Sequence, residues 1–261
     1  MLRVATLASG SSGNCAVVSD GRVHILLDAG ISTRRIAQGL RALDIELRHV
    51  SGVLITHEHA DHVAALPVLC RQVQAPLFTA EDTACELCGR WNGLVERFRV
   101  FEPGQRFALD GLEVGTFATS HDCARPVGYW VTDGKRKLAL CTDTGVVTPQ
   151  AREGVRGAHT LIGEFNYDPE MLRRGTYPLQ LQNRIRGERG HLSNQAGGEL
   201  AAWAAEQGTE RVILAHLSQE NNRPGLALEA AQKALGELGL GQDDVKLIAA
   251  PRGEATGWME V

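Results

Sequence analysis

The sequence lacks the features that mark membrane, secreted and fibrous proteins. No stretch approaches the roughly 18 consecutive apolar residues that a bilayer-spanning helix needs, so we expect no membrane span. Met1 to Ala8 contains too short an apolar run for the core of a signal peptide. There is no tandem repeat at a fixed short period and no low-complexity tract. These absences predict an ordinary globular protein of the cytoplasm.

Positive charge and paired cysteines are also scarce. The chain has 27 Lys and Arg residues against 31 Asp and Glu, a formal net charge of −4. This balance excludes a generally basic nucleic-acid coat, although a local basic groove stays possible. The six cysteines are scattered, and Cys85 and Cys88 have the spacing of a metal knuckle without a second pair. Buried thiols in a reducing compartment are the simpler interpretation.

Length and hydrophobic patterning predict one α/β domain over residues 1–261. A chain of 261 residues, 43% of them hydrophobic, can bury a large core without disulfides. Asp110-Gly111 and Asp133-Gly134 each lie between alternating apolar segments and predict hairpins, whereas later segments alternate strand and helix. Two mixed sheets covered by helices would satisfy this order. The predicted strands are 3–8, 15–19, 23–28, 53–56, 77–79, 97–101, two hairpins within 106–119 and 127–142, 160–164, 211–215 and 245–249, with helices at 32–43, after the 57–62 loop to 74, from 82, at 194–207 and at 224–238.

The chain is richest in chemical groups at residues 53–66, VLITHEHADHVAAL. An apolar, β-branched run leads into His57, His59, Asp61 and His62, and a helical pattern follows directly. Imidazole and carboxylate ligands suit zinc or manganese, and the absence of cysteine argues against a soft-metal or iron–sulfur site. In an extended loop His57 and His59 point to one side, while Asp61 and His62 can face a second position. A polar surface loop is the alternative, which four ligands at this density make improbable.

Three later strands end in isolated His or Asp residues: His121, Asp143 and His216. A sheet fixes the backbone at such positions while the following loop exposes the side chain. Taken singly, each would be an ordinary loop residue. Together with the 57–62 cluster they form a two-metal constellation.

At this point the sequence resembles the metallo-β-lactamase superfamily over essentially its full length. The segments SGSSGNC at 9–15, HEHADH at 57–62, GHLSN at 190–194 and HLSQENN at 216–222 look like its YycJ/WalJ branch, which is related to tRNase Z and other phosphodiesterases. The resemblance implies a four-layer αβ/βα sandwich of two mixed β-sheets flanked by helices. It places the metals between the edges of the two sheets.

The same resemblance implies two divalent metal ions, zinc or manganese, and a set of ligands. One ion would bind His57, His59 and His121. The other would bind Asp61, His62 and His216, and Asp143 would bridge both. Two such ions about 3.5 to 4 Å apart can share a hydroxide that attacks phosphorus and can stabilise both the entering and leaving oxygens.

Two further residues have candidate roles beside the metals. Asp61, besides being a ligand, is a candidate to orient the hydroxide. His191 resembles the histidine of the Gly-His-Ser motif of tRNase Z, which contacts the scissile phosphate, and a histidine there can protonate the leaving oxygen. As a lone histidine before a helix it would be structural instead. Asp28 is either a partner of a ligand histidine or a turn aspartate.

Candidate substrate-binding residues come from three segments. Between Arg173 and Arg189 the chain carries five arginines against one glutamate, and arginine suits phosphate oxygens, although charge runs are usually only solvated faces. The Ser/Gly-rich turn could cradle an anion or be a plain hairpin turn. Tyr167 departs from the histidine common in the related branch, so we assign it no role. The candidates are Ser9, Ser12, Asn14, Arg184, Arg186, Arg189 and Asn222.

The sequence therefore predicts a metal-dependent phosphodiesterase acting on nucleic acid, DNA rather than RNA. The resemblance implies an exonuclease working from 5′ to 3′. A small-molecule hydrolase of thioester, lactone or cyclic phosphodiester type is the alternative, and it would leave the arginine stretch without a use. A metal-bearing regulatory module without turnover is a third possibility, which the presence of all seven ligand positions disfavours.

Overall fold

Two seven-stranded β-sheets face each other in the computed structural model, which describes residues 1–261. The first sheet has the strand order β14-β1-β2-β3-β4-β5-β6 and the second β13-β12-β11-β10-β9-β8-β7. The strands of the first sheet are β1 Arg3–Ala8, β2 Cys15–Ser19, β3 His24–Leu27, β4 Gly52–Leu54, β5 Leu77–Ala80, β6 Phe98–Phe101 and β14 Met259–Glu260. Those of the second are β7 Arg106–Leu109, β8 Leu112–Ala118, β9 Val127–Thr132, β10 Lys137–Cys141, β11 Thr160–Glu164, β12 Arg211–Ala215 and β13 Lys246–Ala249.

Helices cover the outer face of each sheet. None of them has both the length and the apolar character needed to cross a membrane. Short 3₁₀ turns occur at Leu47–His49 and Asn92–Arg97. The helices are α1 Thr33–Ala42, α2 Ala60–Val63, α3 Leu66–Gln72, α4 Glu81–Arg90, α5 Pro149–Val155, α6 Pro169–Arg174, α7 Leu179–Arg186, α8 Asn194–Glu206 and α9 Pro224–Glu237.

Three apolar clusters separate the four layers. The central one joins inward residues of both sheets, such as Ile25 and Leu54 with Tyr129 and Ile213. A second cluster lies between the first sheet and helices α1 and α3, and a third lies between the second sheet and helices α5, α8 and α9. This is the predicted four-layer arrangement of two mixed sheets flanked by helices, and it confirms the expected fold class.

Both sheets are mixed because two kinds of connection alternate. In the first hairpin, Asp20 accepts backbone hydrogen bonds from Arg22 and Val23 at 2.8 and 2.7 Å, so a tight turn joins β2 to β3 antiparallel. Strands β10 to β13 run parallel, and β11 is buried along its whole length. Parallel strands covered on both faces are expected to be continuously apolar, which explains the TLIG sequence of β11.

The structure differs from the sequence prediction in its helices. The sequence predicts one helix after the 57–62 loop, whereas the structure has two, α2 and α3. The helix is interrupted because Pro67 lies in the first turn of α3 and cannot donate a backbone hydrogen bond to the preceding turn. Helices α5, α6 and α7 were not predicted. Helices α5 and α6 each follow a capping residue and a proline, Thr148-Pro149 and Asp168-Pro169, a combination that signals the start of a helix.

Gly30 lies where the 57–62 loop packs against the first sheet. Its backbone N–H donates to the Asn14 carbonyl at 2.8 Å, and Asn14 N–H donates to the Asp61 carbonyl at 2.8 Å. A Cβ atom on Gly30 would overlap the Asp61 carbonyl group, so only glycine allows the three segments to meet.

We therefore expect Gly30→Ala to lower the free energy of unfolding by about 1–3 kcal/mol and to lower bound metal, because the Asp61 backbone must shift. Chemical denaturation and metal analysis of the purified variant measure both effects. Gly89→Ala is the matched control: Gly89 lies in α4 with nothing within 4 Å of an added Cβ, and alanine there should stabilise by about 0.5–1 kcal/mol. Equal stability of the two variants would contradict this account of Gly30.

Candidate active site

The carboxyl ends of strands from both sheets meet in one cleft. In the first sheet β3 and β4 run parallel, and Asp28 and the 57–62 loop follow them. In the second sheet β10, β11 and β12 run parallel, so the residues at their ends share one edge. Such edges are the usual ligand-binding positions of parallel sheets. The residues that the second sheet brings to this edge are His121 after β8, Asp143 after β10, Glu164 at the end of β11 and His216 after β12.

Three of these strand-end residues adopt a left-handed backbone although none is glycine. The φ angles are 59° at Asp28, 56° at Asp143 and 58° at His216. This conformation costs an L-residue roughly 1–3 kcal/mol and recurs at functional sites. The surrounding hydrogen bonds hold it in place: His216 N–H, for example, donates to the Ser9 hydroxyl at 2.8 Å.

The structure brings all seven predicted metal ligands together. The ligand atoms of His57, His59 and His121 lie within 4.8 Å of one another, and those of Asp61, His62 and His216 do the same. Asp143 forms a third such group with His57 and His62, so it lies between the two triads. The seven residues are thus close enough to share a metal site, and their assignment as ligands stays a prediction.

The chemistry of these residues fits a divalent metal. The Nε2 atom of His57 and the Oδ2 atom of Asp143 are buried without a hydrogen-bond partner. Leaving buried polar atoms unpaired is costly, and a cation among them would satisfy both. The donors are imidazole nitrogens and carboxylate oxygens without sulfur, a set compatible with zinc or manganese.

Three of the predicted ligand histidines have one ring nitrogen fixed by a hydrogen bond. His62 Nδ1 lies 2.8 Å from Asp28 Oδ2, and His121 Nδ1 lies 2.9 Å from the Gly190 carbonyl oxygen. His216 Nδ1 lies 3.0 Å from Glu164 Oε1. Because Nδ1 donates outward in each case, Nε2 is left to bind a metal.

Asp28 thus contacts His62, one of the predicted ligands, which favours the first of the two roles that the sequence had left open. Its Oδ1 atom also accepts the backbone N–H of Thr56 at 2.8 Å, and the Thr56 hydroxyl donates to Oδ2 at 2.9 Å. The carboxylate therefore ties His62 to the start of its own loop. Asp28 is 2% exposed, so solvent does not compete for these bonds.

Glu164 is the functional residue that sequence reasoning missed. It is fully buried, and its Oε1 atom accepts from Nδ1 of both His191, at 2.8 Å, and His216, at 3.0 Å. Its Oε2 atom accepts the backbone N–H groups of Thr144 and Leu192 at 3.0 and 3.2 Å. The available signal was a glutamate ending an otherwise apolar strand, because a fully buried carboxylate needs partners.

The buried carboxylates and imidazoles of the site shift one another's pKa values. Burial favours the neutral acid of Glu164, but His191 and His216 outweigh it and hold the pKa of Glu164 well below its usual range. Burial likewise opposes protonation of His216, yet Asp143, Asp61 and Glu164 raise the pKa of His216 to about 10. Burial and neighbouring imidazoles, His62 above all, lower the pKa of His57 well below its usual value. Carboxylates thus attract positive charge to one side of the site, whereas His57 offers a neutral imidazole.

The candidate substrate residues divide into those that reach the cleft and those that do not. Arg184 lines the cleft, but its Nε atom pairs with Asp122 at 2.5 Å. Arg189 lies beside the site and donates to the His121 carbonyl at 3.1 and 3.2 Å. Arg186 instead contacts Asn183 and does not line the cleft. The arginine stretch is therefore partly used to order its own loop.

The Ser/Gly turn and Asn222 act mainly inside the protein. Ser9 is buried and holds the His216 backbone, and Ser12 is exposed without lining the cleft, which Ser11 does instead. Asn14 Nδ2 lies 3.1 Å from His62 Nε2, among the metal ligands. Asn222 was predicted to contact the substrate, and the structure contradicts this. Its side chain is buried, with the residue 2% exposed, and it supports the backbone by donating to the Phe165 and Asn166 carbonyls.

Comparison with known proteins assigns the family. The beta-lactamase superfamily domain matches residues 24–217, and the chain belongs to that superfamily. Its class is that of a metal-dependent hydrolase. Among named relatives, exodeoxyribonuclease YycJ of Bacillus anthracis is 35% identical over 248 residues, which cover 92% of this chain and 91% of the relative. Exodeoxyribonuclease WalJ of Streptococcus pneumoniae is also 35% identical, over 91% of this chain and 90% of its own.

Solved structures share the fold at lower identity. The metallo-beta-lactamase fold protein YhfI of Bacillus subtilis superposes with a TM-score of 0.74 at 16% identity and covers 98% of both chains. The short form of human tRNase Z has a TM-score of 0.60 at 18% identity and covers 83% of this chain and 93% of its own. These matches bear on the fold alone.

We expect Asp28→Asn to weaken metal binding about 10- to 100-fold, because a neutral amide would replace the charged carboxylate that accepts hydrogen bonds from both Thr56 and His62. Titration of the metal-free protein with Zn²⁺ or Mn²⁺, followed calorimetrically, measures the change. Asp44→Asn is a matched control, since Asp44 has the same left-handed backbone, φ 61°, but is exposed. Equal affinity in the two variants would remove Asp28 from the metal site.

Proposed function

We propose that the protein is a dinuclear metal-dependent nuclease that hydrolyses phosphodiester bonds of DNA as a 5′-to-3′ exonuclease. The observation that carries the proposal is the pairing of His191 with buried Glu164 next to the metal ligands. His191 Nδ1 lies 2.8 Å from Glu164 Oε1 and 3.7 Å from Asp143 Oδ1. A histidine positioned beside a pair of metal ions suits a reaction with a charged substrate and a poor leaving group, because it can donate a proton to that group.

His57, His59 and His121 would hold one ion, Asp61, His62 and His216 the other, and Asp143 would contact both. When bound, the two ions supply Lewis acidity that activates water and offsets the charge of the phosphate group. The side chain of Asp61 is 25% exposed, against 3% for Asp143, so it is the metal-binding carboxylate most open to the cleft. We assign Asp61 the second task of orienting the attacking water by accepting its hydrogen bond.

His191 faces the substrate side. Its Nδ1 atom is committed to Glu164, which leaves Nε2 as the free nitrogen, and its side chain is 20% exposed. It lines a cavity of about 260 Å³ together with His59, Asp61, Asp143 and His216. From there Nε2 can donate a hydrogen bond to a phosphate oxygen or a proton to the departing alkoxide. Glu164 acts through both histidines and is a positioning residue.

Separate observations support the choice of DNA as substrate, the direction of cleavage and the cellular compartment. The relatives that share 35% identity over most of the chain are named exodeoxyribonucleases, which favours DNA over RNA. The 5′-to-3′ direction comes from resemblance to their branch. All six cysteines are free in the structure, which suits a reducing cytoplasm.

The test is a metal-reconstitution series with Zn²⁺ and Mn²⁺ on DNA labelled at either end. Single-stranded DNA, duplex DNA and RNA of one sequence are compared with a panel of thioesters, lactones and cyclic phosphodiesters. We expect mononucleotides to be released stepwise from the 5′ end of DNA. Turnover of a small ester with no cleavage of any polymer would overturn the proposal in favour of a small-molecule hydrolase.

We expect His191→Ala to reduce turnover of DNA about 10²- to 10⁴-fold, the usual contribution of a positioned acid or base, while metal content stays at the wild-type level. Steady-state cleavage and metal analysis on the same preparation check this. His49→Ala, in an exposed 3₁₀ turn that precedes β4 whereas the 57–62 loop follows it, should retain full activity. Unchanged cleavage by His191→Ala would remove the role assigned to this histidine.

A further inference from the structure

A second cavity opens beside the active site and shares His121 with it. It has a volume of about 730 Å³ and lies between the outer face of strands β7 to β10 and helix α5. We call it the flank groove. Its chemically distinctive lining residues are Arg106, Arg125, Trp130, Lys137, Arg156 and Arg189.

Positive charge is concentrated in the flank groove. Five Lys and Arg residues line it against one carboxylate, Glu153, in a chain with a net charge of −4. Some of these cations have acidic neighbours: Arg106 Nη1 lies 3.8 Å from Glu113, and Arg125 Nη2 lies 3.2 Å from Glu102. These arginine side chains are 69% and 50% exposed, and exposed ion pairs contribute little stability. They can therefore be exchanged for phosphate oxygens, which arginine binds in a bidentate manner.

Trp130 gives the flank groove an aromatic floor. A Cβ atom on Gly115 would overlap the indole, so glycine at this position lets the ring lie directly against β8. The Arg106 guanidinium carbon and Lys137 Nζ each lie 5.1 Å from the ring centroid. Cations grouped around an aromatic ring are the combination that sequence-tolerant single-strand binding sites use.

The flank groove leads directly to the metal ligands. Trp130 pairs with Gly115 across the strands, and β8 ends at Ala118, about 10 Å further along at 3.3 Å per residue. Residues 119–121 continue from that end to His121, which lines both cavities. Arg189 lies at the junction and donates to the His121 carbonyl. A chain held in the flank groove can therefore reach the cleft without crossing the protein.

We propose that the flank groove binds the sugar–phosphate backbone of a single-stranded segment of the substrate adjoining the scissile phosphate. This inference rests on the proposed function, since it assumes a polynucleotide substrate. Arg106, Arg125 and Arg189 contact successive phosphates, and Trp130 with its flanking cations receives a nucleotide. Phosphate contacts and stacking carry no sequence information, so the groove holds any sequence.

The inference is tested with holoprotein carrying Arg106→Gln or Arg125→Gln. Both residues are exposed, so the fold should persist. The substrates are an end-labelled single strand of about 15 nucleotides, long enough to fill such a site, and a dinucleotide. KM and kcat are measured between about 50 and 200 mM salt. The matched control is Arg48→Gln, whose side chain is 71% exposed and likewise pairs with a glutamate, Glu46 at 3.1 Å, but lies outside the flank groove.

We expect each groove variant to raise KM for the long strand about 3- to 10-fold, with a smaller change in kcat. The slope of log KM against log salt should become shallower by about 0.7, the value for one lost phosphate contact on a single strand. The advantage of the long strand over the dinucleotide should shrink accordingly. Arg48→Gln should match the wild type in all three measurements.

Groove variants that behave like Arg48→Gln on a strand that the wild type cleaves would overturn the inference and leave the proposed nuclease function intact. If the wild type cleaves no polynucleotide, the proposed function fails, and binding of a fluorescent single strand to the holoprotein still decides the inference. Binding that weakens in Arg106→Gln and Arg125→Gln supports the flank groove. Binding that is absent or insensitive to both changes overturns it.

Discussion

Asp28, Asp143 and Glu164 place three carboxylates in the protein interior, with at most 2% of each residue exposed. An uncompensated buried charge costs several kcal/mol, so the surrounding architecture has to supply partners. Asp28 and Glu164 find theirs in imidazoles and backbone N–H groups, whereas Asp143 keeps a buried oxygen without one. A cation between the two triads would supply the missing partner. Metal binding and folding stability should accordingly be linked.

The two sheets make unequal contributions to this arrangement. The first sheet delivers four predicted ligands from one loop, which Gly30 holds through the backbone of Asn14 and which Asp28 holds through its carboxylate. The second sheet delivers single residues from separate strands, and these are aligned only because β10, β11 and β12 run parallel in register. Glu164 connects them, since one of its oxygens serves His191 and His216 and the other serves the loops after β10 and before α8. A shift of β11 would misplace Glu164 and the contacts that it makes with His191 and His216.

Much of this site was predictable, and the limits have physical causes. The 57–62 cluster is local in sequence, so its density alone indicates a metal loop, and the hairpin turns at Asp110-Gly111 and Asp133-Gly134 carry their own signals. Glu164 was missed because its partners lie 27 and 52 residues away, and strand order cannot be read from one strand. Asn222 was given the wrong task for the same reason. Its neighbourhood in sequence is the metal ligand His216, but its neighbours in space are backbone carbonyls.

The left-handed backbone at Asp28, Asp143 and His216 narrows the set of replacements that evolution or an engineer can use. Asparagine and glycine tolerate this conformation, whereas a β-branched or bulky residue does not. Replacing one of these residues with alanine would remove its side-chain contacts and would also disfavour the left-handed backbone, so a loss of metal binding would combine both effects. Aspartate to asparagine keeps shape and conformation while removing charge. Homologous chains that have abandoned metal chemistry should therefore accumulate asparagine or glycine at these three positions before other residues.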